Sequence, residues 1–173
     1  MLKGIICLLL LCISACFVCL GTPSQSTQSK TVKDYYLRLP KKYFEANQEQ
    51  RVNWMLNPKR GAIVDIKNGY LYAAGDGAQT DIYVRLFKRP DGAYLIAVKT
   101  HAGDTEALTY MDFYLHKDGQ WMDQTKLVLP IKINDEFRYE MPRYGSTIKV
   151  TNKRGKRLYD LIWTKGVFEL KRN

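Results

Sequence analysis

Residues 80–99 read TDIYVRLFKRPDGAYLIAVK, and this stretch decides the fold that the sequence predicts. From Asp81 to Phe87 every second residue is aliphatic, and this period of two is typical of a β-strand. The Asp91–Gly92 dipeptide that follows supplies the positive φ angles of a tight hairpin turn. A second apolar run begins at Ala93, so the stretch predicts two antiparallel strands joined by a hairpin.

The hairpin pattern continues on both sides of this stretch. Residues 110–116 read YMDFYLH and alternate in the same way, and turn dipeptides recur at Asn68–Gly69, Asp76–Gly77, Asp118–Gly119 and Arg154–Gly155. We expect a mainly β fold, an antiparallel meander of about 8–10 strands that closes into a barrel or a two-layer sandwich. The further strands are predicted at Ile63 to Ile66, Tyr70 to Ala73, Ala93 to Lys99, Lys126 to Leu129, Phe137 to Tyr139, Thr147 to Thr151, Leu158 to Thr164 and Val167 to Leu170.

One helix is predicted before the strands. Asn47 is a good N-cap residue, and Gln50 stands three residues later, where a capping box places its second side chain. Val52, Met55 and Leu56 follow, and Pro58 is expected to end the helix.

The first 20 residues hold all four cysteines, Cys7, Cys12, Cys16 and Cys19, within one apolar run. Lys3 precedes an apolar segment from Gly4 to Leu11, and the small residues Ser14 and Ala15 follow this segment, which is the layout of a secretory signal. Residues 13–16, which read ISAC, resemble the lipobox of bacterial lipoproteins. The resemblance implies cleavage before Cys16, lipidation of this cysteine and attachment to a membrane of the bacterial cell envelope.

Two other outcomes for the leader stay open. Cleavage near Gly21 would release a secreted protein, and an uncleaved run from Gly4 to Leu20 would act as a membrane anchor. Residues 22–33 read TPSQSTQSKTVK, a composition expected of a polar tether. The predicted organisation is a leader over residues 1–21, a tether over 22–33 and one β-rich domain over 34–173.

The chain is basic, with a formal net charge of +10. From Arg138 to the end it has ten lysines and arginines against three acidic residues. Outside the cytoplasm such a region favours anionic envelope polymers or membrane headgroups over nucleic acid. The densest cluster, expected at a hairpin tip, is a candidate binding site and equally a means of keeping a β domain soluble; it consists of Lys153, Arg154, Lys156 and Arg157.

Aromatic residues form a second candidate binding surface. If Ile82, Val84, Met111 and Phe113 line one side of the sheet, the opposite side carries Tyr83, Phe87, Tyr110 and Tyr114 beside Arg85 and Asp112. Such rings suit contact with a sugar, a lipid or a protein. The alternative is that both sides of the sheet are covered.

The sequence predicts no catalytic residue, metal or cofactor. After Leu20 there is no cysteine, and Ser146, the one serine after the tether, lacks a G-x-S-x-G context. His101 and His116 flank one predicted strand and are too far apart for a shared metal. No glycine-rich phosphate loop occurs.

These observations favour an exported, lipid-anchored, non-catalytic binding domain, with a polysaccharide, lipid or protein as ligand and an unknown oligomeric state. Two alternatives stay open. One is a hydrolase of envelope polysaccharide that uses paired carboxylates. The other is a structural or carrier subunit of an envelope assembly.

Overall fold

The computed structural model of the 173-residue chain describes residues 30–44, 46–76, 79–101 and 110–172. The predicted leader with Cys16, the tether as far as residue 29 and the turn at Gly77 lie outside these residues. The described part contains two antiparallel sheets of six and four strands. The predicted mainly β fold is therefore confirmed, and it is a sandwich of two sheets, not a closed barrel.

Both sheets are meanders in which each strand pairs with its neighbour in sequence. The larger sheet has the order β1 to β6 and consists of β1 (Ile63–Asp65), β2 (Tyr70–Ala73), β3 (Asp81–Lys88), β4 (Tyr94–His101), β5 (Tyr110–Lys117) and β6 (Gln120–Asp123). The smaller sheet has the order β10, β9, β8, β7 and consists of β7 (Phe137–Glu140), β8 (Thr147–Asn152), β9 (Arg157–Thr164) and β10 (Val167–Arg172).

Tight turns set the register of these hairpins. Asp118 and Gly119 have φ angles of 51° and 80°, and they join Lys117 to its partner Gln120. Two consecutive positive φ angles are the signature of a type I′ turn, whose twist matches that of the strands. Lys165 and Gly166 make the corresponding turn between β9 and β10, with φ angles of 49° and 92°. This second turn was not predicted from the sequence.

Helical segments precede the sheets. They are α1 (Val32–Arg38), a 3₁₀ turn (Lys41–Tyr43), α2 (Gln48–Gln50), a π-helical turn (Arg51–Met55) and a 3₁₀ turn (Pro58–Arg60). The capping box predicted for Asn47 and Gln50 is present, with both reciprocal hydrogen bonds formed. Helix α1 was not predicted, because residues 31–33 were assigned to the polar tether. Instead Thr31 caps α1, and Val32 is fully buried.

The larger sheet is buried on both faces, which corrects the expectation that one side of its strands would be apolar and the other a contact surface. Register explains the difference, because Val98 is paired with Asp112 and Ala97 with Phe113. Val84 and Val98 therefore face the helical layer, whereas Ala97 and Phe113 face the smaller sheet. The molecule has three layers, in the order helices, larger sheet, smaller sheet.

The predicted strand from Lys126 to Leu129 is wrong. Residues Thr125–Val128 form a short helix, α3, and the strand that completes the larger sheet is β6, which was not predicted. The polar residue before the helix explains this, since the carboxylate of Asp123 accepts a hydrogen bond of 2.7 Å from the amide of Thr125. The Thr125 hydroxyl in turn accepts a hydrogen bond of 3.0 Å from the amide of Phe113. Together these two bonds place α3 against the edge of β5.

Two substitutions on β5 test the layer assignment. Phe113→Ala removes a fully buried ring between the sheets and is expected to lower the free energy of unfolding by about 3–5 kcal/mol. Tyr110→Ala, on the same strand but 60% exposed, is expected to change it by less than about 0.5 kcal/mol. Urea unfolding measures both, and similar values for the two variants would contradict the assignment.

Candidate functional site

A pocket of about 450 Å³ opens at one edge of the sandwich, where the start of α1, the β1–β2 turn, the end of β3 and the smaller sheet meet. Of the pockets among the described residues, this one combines several cationic side chains with the buried guanidinium of Arg85. The residues that line it are Lys30, Thr31, Val32, Ile66, Lys67, Asn68, Gly69, Arg85, Leu86, Phe87, Lys88, Tyr94, Ser146 and Trp163.

Gly69 brings the β1–β2 turn against β3. It has a φ of +61°, and its carbonyl accepts a hydrogen bond of 2.9 Å from the amide of Leu86. A Cβ atom at this position would lie 3.1 Å from the Cβ of Leu86 and 3.4 Å from Nη1 of Arg85. A glycine is therefore needed for the turn to lie this close to the Arg85 side chain.

The pocket is strongly cationic. Lys30, Lys67, Arg85 and Lys88 line it, and none of the described lining residues is an aspartate or glutamate. Low-dielectric walls concentrate the field of such a group of like charges and raise the local concentration of anions. The pocket is suited to an anionic ligand.

Arg85 is the buried member of this group of cations. Its side chain is only 8% exposed, and its Nη2 donates a hydrogen bond of 2.7 Å to the carbonyl of Gly145. Its Nε is buried and has no hydrogen-bond partner among the residues that the structure describes. Burial lowers the pKa of Arg85, and the charge of Asp65 opposes this effect. A buried cation with an unpartnered N–H is expensive unless a ligand completes its shell.

Asp65 does not neutralise Arg85 directly, because other groups hold its carboxylate. Hydrogen bonds from the Asn68 side chain and from Arg143 lower the pKa of Asp65 to about 2. The Arg143 Nε lies 2.9 Å from Oδ2 of Asp65, and Nδ2 of Asn68 lies 3.0 Å from both carboxylate oxygens. The carboxylate thus keeps its charge at neutral pH but is already engaged.

Trp163 forms a rigid apolar wall of the pocket. Its Nε1 donates a hydrogen bond of 2.8 Å to the carbonyl of Lys88, which links β9 to the end of β3. Its ring centroid lies 5.6 Å from that of Phe87 and 5.0 Å from that of Phe168. An indole held in this way presents a fixed surface beside the cations, which suits the apolar or sugar part of an anionic ligand.

The ten binding residues predicted from the sequence are distributed over several places. Arg85 and Phe87 line the pocket, so these two are brought together. Tyr83 lies against Tyr72 with a centroid distance of 4.9 Å, and Nζ of Lys99 lies 4.7 Å from its ring. Tyr110 lines an apolar groove of about 580 Å³ beside α3. The predicted aromatic row therefore does not exist as one surface.

Asp112 and Tyr114 belong to a polar cluster under the helical layer. Tyr43 donates a hydrogen bond to Oδ2 of Asp112, Nζ of Lys42 lies 2.9 Å from the same oxygen, and the Tyr43 and Tyr114 hydroxyls are 2.7 Å apart. Burial would raise the pKa of Asp112, but the hydrogen bonds from Tyr43 and Lys42 outweigh it and lower the pKa. This cluster fastens the 3₁₀ turn to β5.

The basic cluster lies at the β8–β9 hairpin, at the opposite end of these strands from Ser146 and Trp163, roughly 20 Å away at about 3.4 Å per residue. Nζ of Lys153 lies 3.0 Å from Oε1 of Glu136, and Nε of Arg157 lies 2.9 Å from Oδ1 of Asp160. Its separate position means that it adds no ligand contact to the pocket. A binding role for Lys153, Arg154, Lys156 and Arg157 stays a prediction.

Four of the pocket residues described above were not predicted from the sequence as binding residues. They are Lys30, Lys67, Lys88 and Trp163. Lys88 ends the strand that carries Arg85, and Lys67 adjoins the Asn68–Gly69 turn, so the local pattern contained part of the signal. Their convergence depends on how the turn and the smaller sheet lie against β3, which the sequence pattern does not specify.

Within the described ranges there is no group of three or more histidine, cysteine, aspartate or glutamate side chains that could hold a metal ion. None of the helices in that part of the chain has the length and apolar character needed to cross a bilayer. No family model, curated protein or solved structure matches this chain.

The Asp112 cluster gives a pH-dependent prediction. Asp112→Asn is expected to lower the free energy of unfolding at neutral pH by about 1.5–3 kcal/mol, because hydrogen bonds to a charged group are lost. Because the pKa of Asp112 is lower in the folded state, its contribution is present above the unfolded value of about 3.9 and is lost as the pH falls through the folded value.

Urea unfolding of wild type and Asp112→Asn from neutral to acidic pH measures this effect. The difference in the free energy of unfolding between the two proteins is expected to shrink as the pH falls below about 3.9. Asp135→Asn, in an exposed turn, is the control and should change stability by less than about 0.5 kcal/mol. A constant difference between wild type and Asp112→Asn at all pH values would contradict the role of the charge.

Proposed function

We propose that this chain is an exported, lipid-anchored domain of the bacterial cell envelope that binds an anionic ligand in the Arg85 pocket without changing it chemically. The observation that carries the proposal is the buried guanidinium of Arg85. Its Nε has no partner within the described part of the chain, and it lies in a pocket that three lysines also line. A ligand oxygen would supply the missing acceptor.

The shape of the pocket supports a small charged group attached to a larger body. Its volume of about 450 Å³ lies within the range of roughly 300–1,000 Å³ typical of small-molecule sites. The cations supply recognition of phosphate, sulfate or carboxylate, and Trp163 with Tyr94 supplies an apolar wall. A phosphorylated or otherwise acidic sugar or headgroup fits this combination.

The alternatives receive less support. A carboxylate-based hydrolase needs a carboxyl group with a raised pKa to act as an acid. In the described residues the shifted carboxyl pKa values, those of Asp34, Asp65 and Asp112, are all lowered. A carrier needs space between the sheets, and there Phe113, Ile148 and Leu161 are fully buried in one cluster.

Arg85→Met separates a ligand-binding role from a structural one. Methionine keeps the length and removes the charge, so phosphate binding is expected to be lost while the free energy of unfolding falls by less than about 1.5 kcal/mol, the value of the hydrogen bond to Gly145. Isothermal titration with inorganic phosphate and urea unfolding measure the two effects. Destabilisation by about 3–5 kcal/mol would instead identify Arg85 as part of a structural charge pair.

A matched pair of double variants distinguishes phosphate binding in the pocket from attraction of phosphate by the net charge of the protein. Lys67→Gln/Lys88→Gln is expected to weaken phosphate binding by roughly tenfold or more, since one charge-assisted hydrogen bond corresponds to about that factor. Lys153→Gln/Lys156→Gln makes the same change in net charge at the distant hairpin and is expected to weaken it by less than about twofold. Equal effects of the two variants would show attraction by net charge alone.

The anchor is tested at Cys16. The lipobox resemblance predicts that Cys16→Ser abolishes incorporation of labelled fatty acid and moves the protein from the membrane fraction to the soluble fraction. Mass spectrometry of the mature N-terminus distinguishes the three possible leaders. An unmodified N-terminus near Gly21 would exclude lipidation and leave a secreted protein.

A further inference from the structure

We infer that the anionic group taken by the Arg85 pocket is the phosphate of a lipid headgroup in the membrane that holds the chain. This inference rests on the proposed function and names the ligand and its source. Three features of the structure point to a membrane surface: the mouth of the pocket, the buried cation behind it and the place where the chain enters the domain.

The mouth of the pocket combines an exposed apolar side chain with cations. Ile66, which is 57% exposed, lines the pocket together with its neighbour Lys67 and with Lys88, and both lysines are exposed. An apolar side chain flanked by lysines is the pattern of a peripheral membrane contact, because the lysines meet headgroup charges while the apolar group enters the interface.

Arg85 lies behind these residues and provides the specific part of the site. Lysines on the surface are attracted to any anionic membrane, and they do not require one particular headgroup. The buried Nε of Arg85 needs an acceptor that enters the pocket. A phosphate with free oxygens can reach it and also contact the lysines at the mouth, since a phosphate offers several acceptors in different directions.

The aromatic residues of the pocket fit the rest of a headgroup. Trp163 and Tyr94 line the pocket, and aromatic side chains of this kind are enriched where an apolar body meets a polar boundary. The volume of the pocket exceeds that needed for a water or a simple ion. A phosphate with its glycerol or sugar neighbour would therefore be accommodated.

The course of the chain places the pocket near the bilayer. Lys30, the first described residue, itself lines the pocket. Between a lipid-bearing Cys16 and Lys30 there are 14 steps along the chain, which span at most about 50 Å at roughly 3.3–3.6 Å per residue. The tether therefore leaves the domain beside the pocket, and a ligand in the same bilayer has a high effective concentration.

Lysine footprinting of the full chain tests the inference. The protein is reconstituted into vesicles of phosphatidylcholine with or without phosphatidic acid, treated with an amine-acetylating reagent and analysed by mass spectrometry. Lys67 and Lys88 are expected to be protected roughly fivefold or more when phosphatidic acid is present, because protection follows the occupancy of the site. Lys153 and Lys156, at the far hairpin, are expected to react equally in both vesicles.

Inorganic phosphate distinguishes the source of the ligand. Protection of Lys67 and Lys88 by inorganic phosphate in phosphatidylcholine vesicles, with none from phosphatidic acid, would overturn the membrane inference and leave the proposed anion-binding function intact. Protection by neither would overturn both. Equal protection of the pocket lysines and of Lys153 and Lys156 by phosphatidic acid would also overturn the inference, since it would reflect attraction by net charge.

Ile66→Ser provides a variant that keeps the cations. It is expected to reduce the protection of Lys67 and Lys88 by phosphatidic acid vesicles by roughly threefold or more, because the apolar contact with the interface is lost. An unchanged footprint in this variant would show that Ile66 does not enter the membrane and would overturn the proposed docking geometry.

Discussion

The pairing of β3 with β4 is the interaction on which the rest of the structure depends. Eight consecutive residue pairs, from Asp81 with His101 to Lys88 with Tyr94, define this ladder without a register shift. A slip by one residue would exchange the two faces of a strand. Because helices cover one face and the smaller sheet covers the other, this register decides at once which side chains meet each layer. The same register places Arg85 in the pocket at the edge of the sandwich. There Lys88 ends β3, and the β1–β2 turn lies beside this strand.

The pocket holds a positive charge in a buried position, and burial of a charge lowers the stability of the folded protein. Burial of the Arg85 guanidinium removes it from water. Within the described residues it is compensated by one hydrogen bond to the Gly145 carbonyl and by the ring of Phe87, whose centroid lies 5.5 Å from the guanidinium carbon. The nearest influential carboxylate, Asp65, is shared between Asn68 and Arg143. Such an arrangement lowers stability, and this cost is what supports the proposal of a ligand that supplies the missing acceptor. The Asp112 cluster differs, since there Oδ2 of Asp112 accepts hydrogen bonds from Lys42, Tyr43 and Tyr114.

Whether a feature could be predicted from the sequence depends on how far apart along the chain the interacting residues lie. The hairpins and the capping box were predictable because they depend on residues close in sequence, such as Asp118 with Gly119 or Asn47 with Gln50. The error at Lys126 to Leu129 arose because the apolar run resembles a strand, whereas the bonds of Asp123 and Thr125 to nearby main-chain amides stabilise a helix. The tether boundary was missed because Thr31 and Asp34 form the cap of a helix that buries Val32, Tyr35 and Tyr36 against the larger sheet, a contact that the local sequence does not reveal.

The sequence by itself determined an antiparallel β protein with tight glycine turns and a basic composition, and its first 20 residues form a cysteine-containing apolar run that resembles a lipoprotein signal. These properties follow from composition and from periods of two to four residues. Only the tertiary structure decided that both faces of the larger sheet are buried, that Ile82 and Phe113 face different layers, and that Lys30, Lys67 and Lys88 line one pocket with Arg85. The physical reason is that alternation tells which side chains of one strand share a face, whereas the register between strands and the arrangement of layers determine what that face contacts.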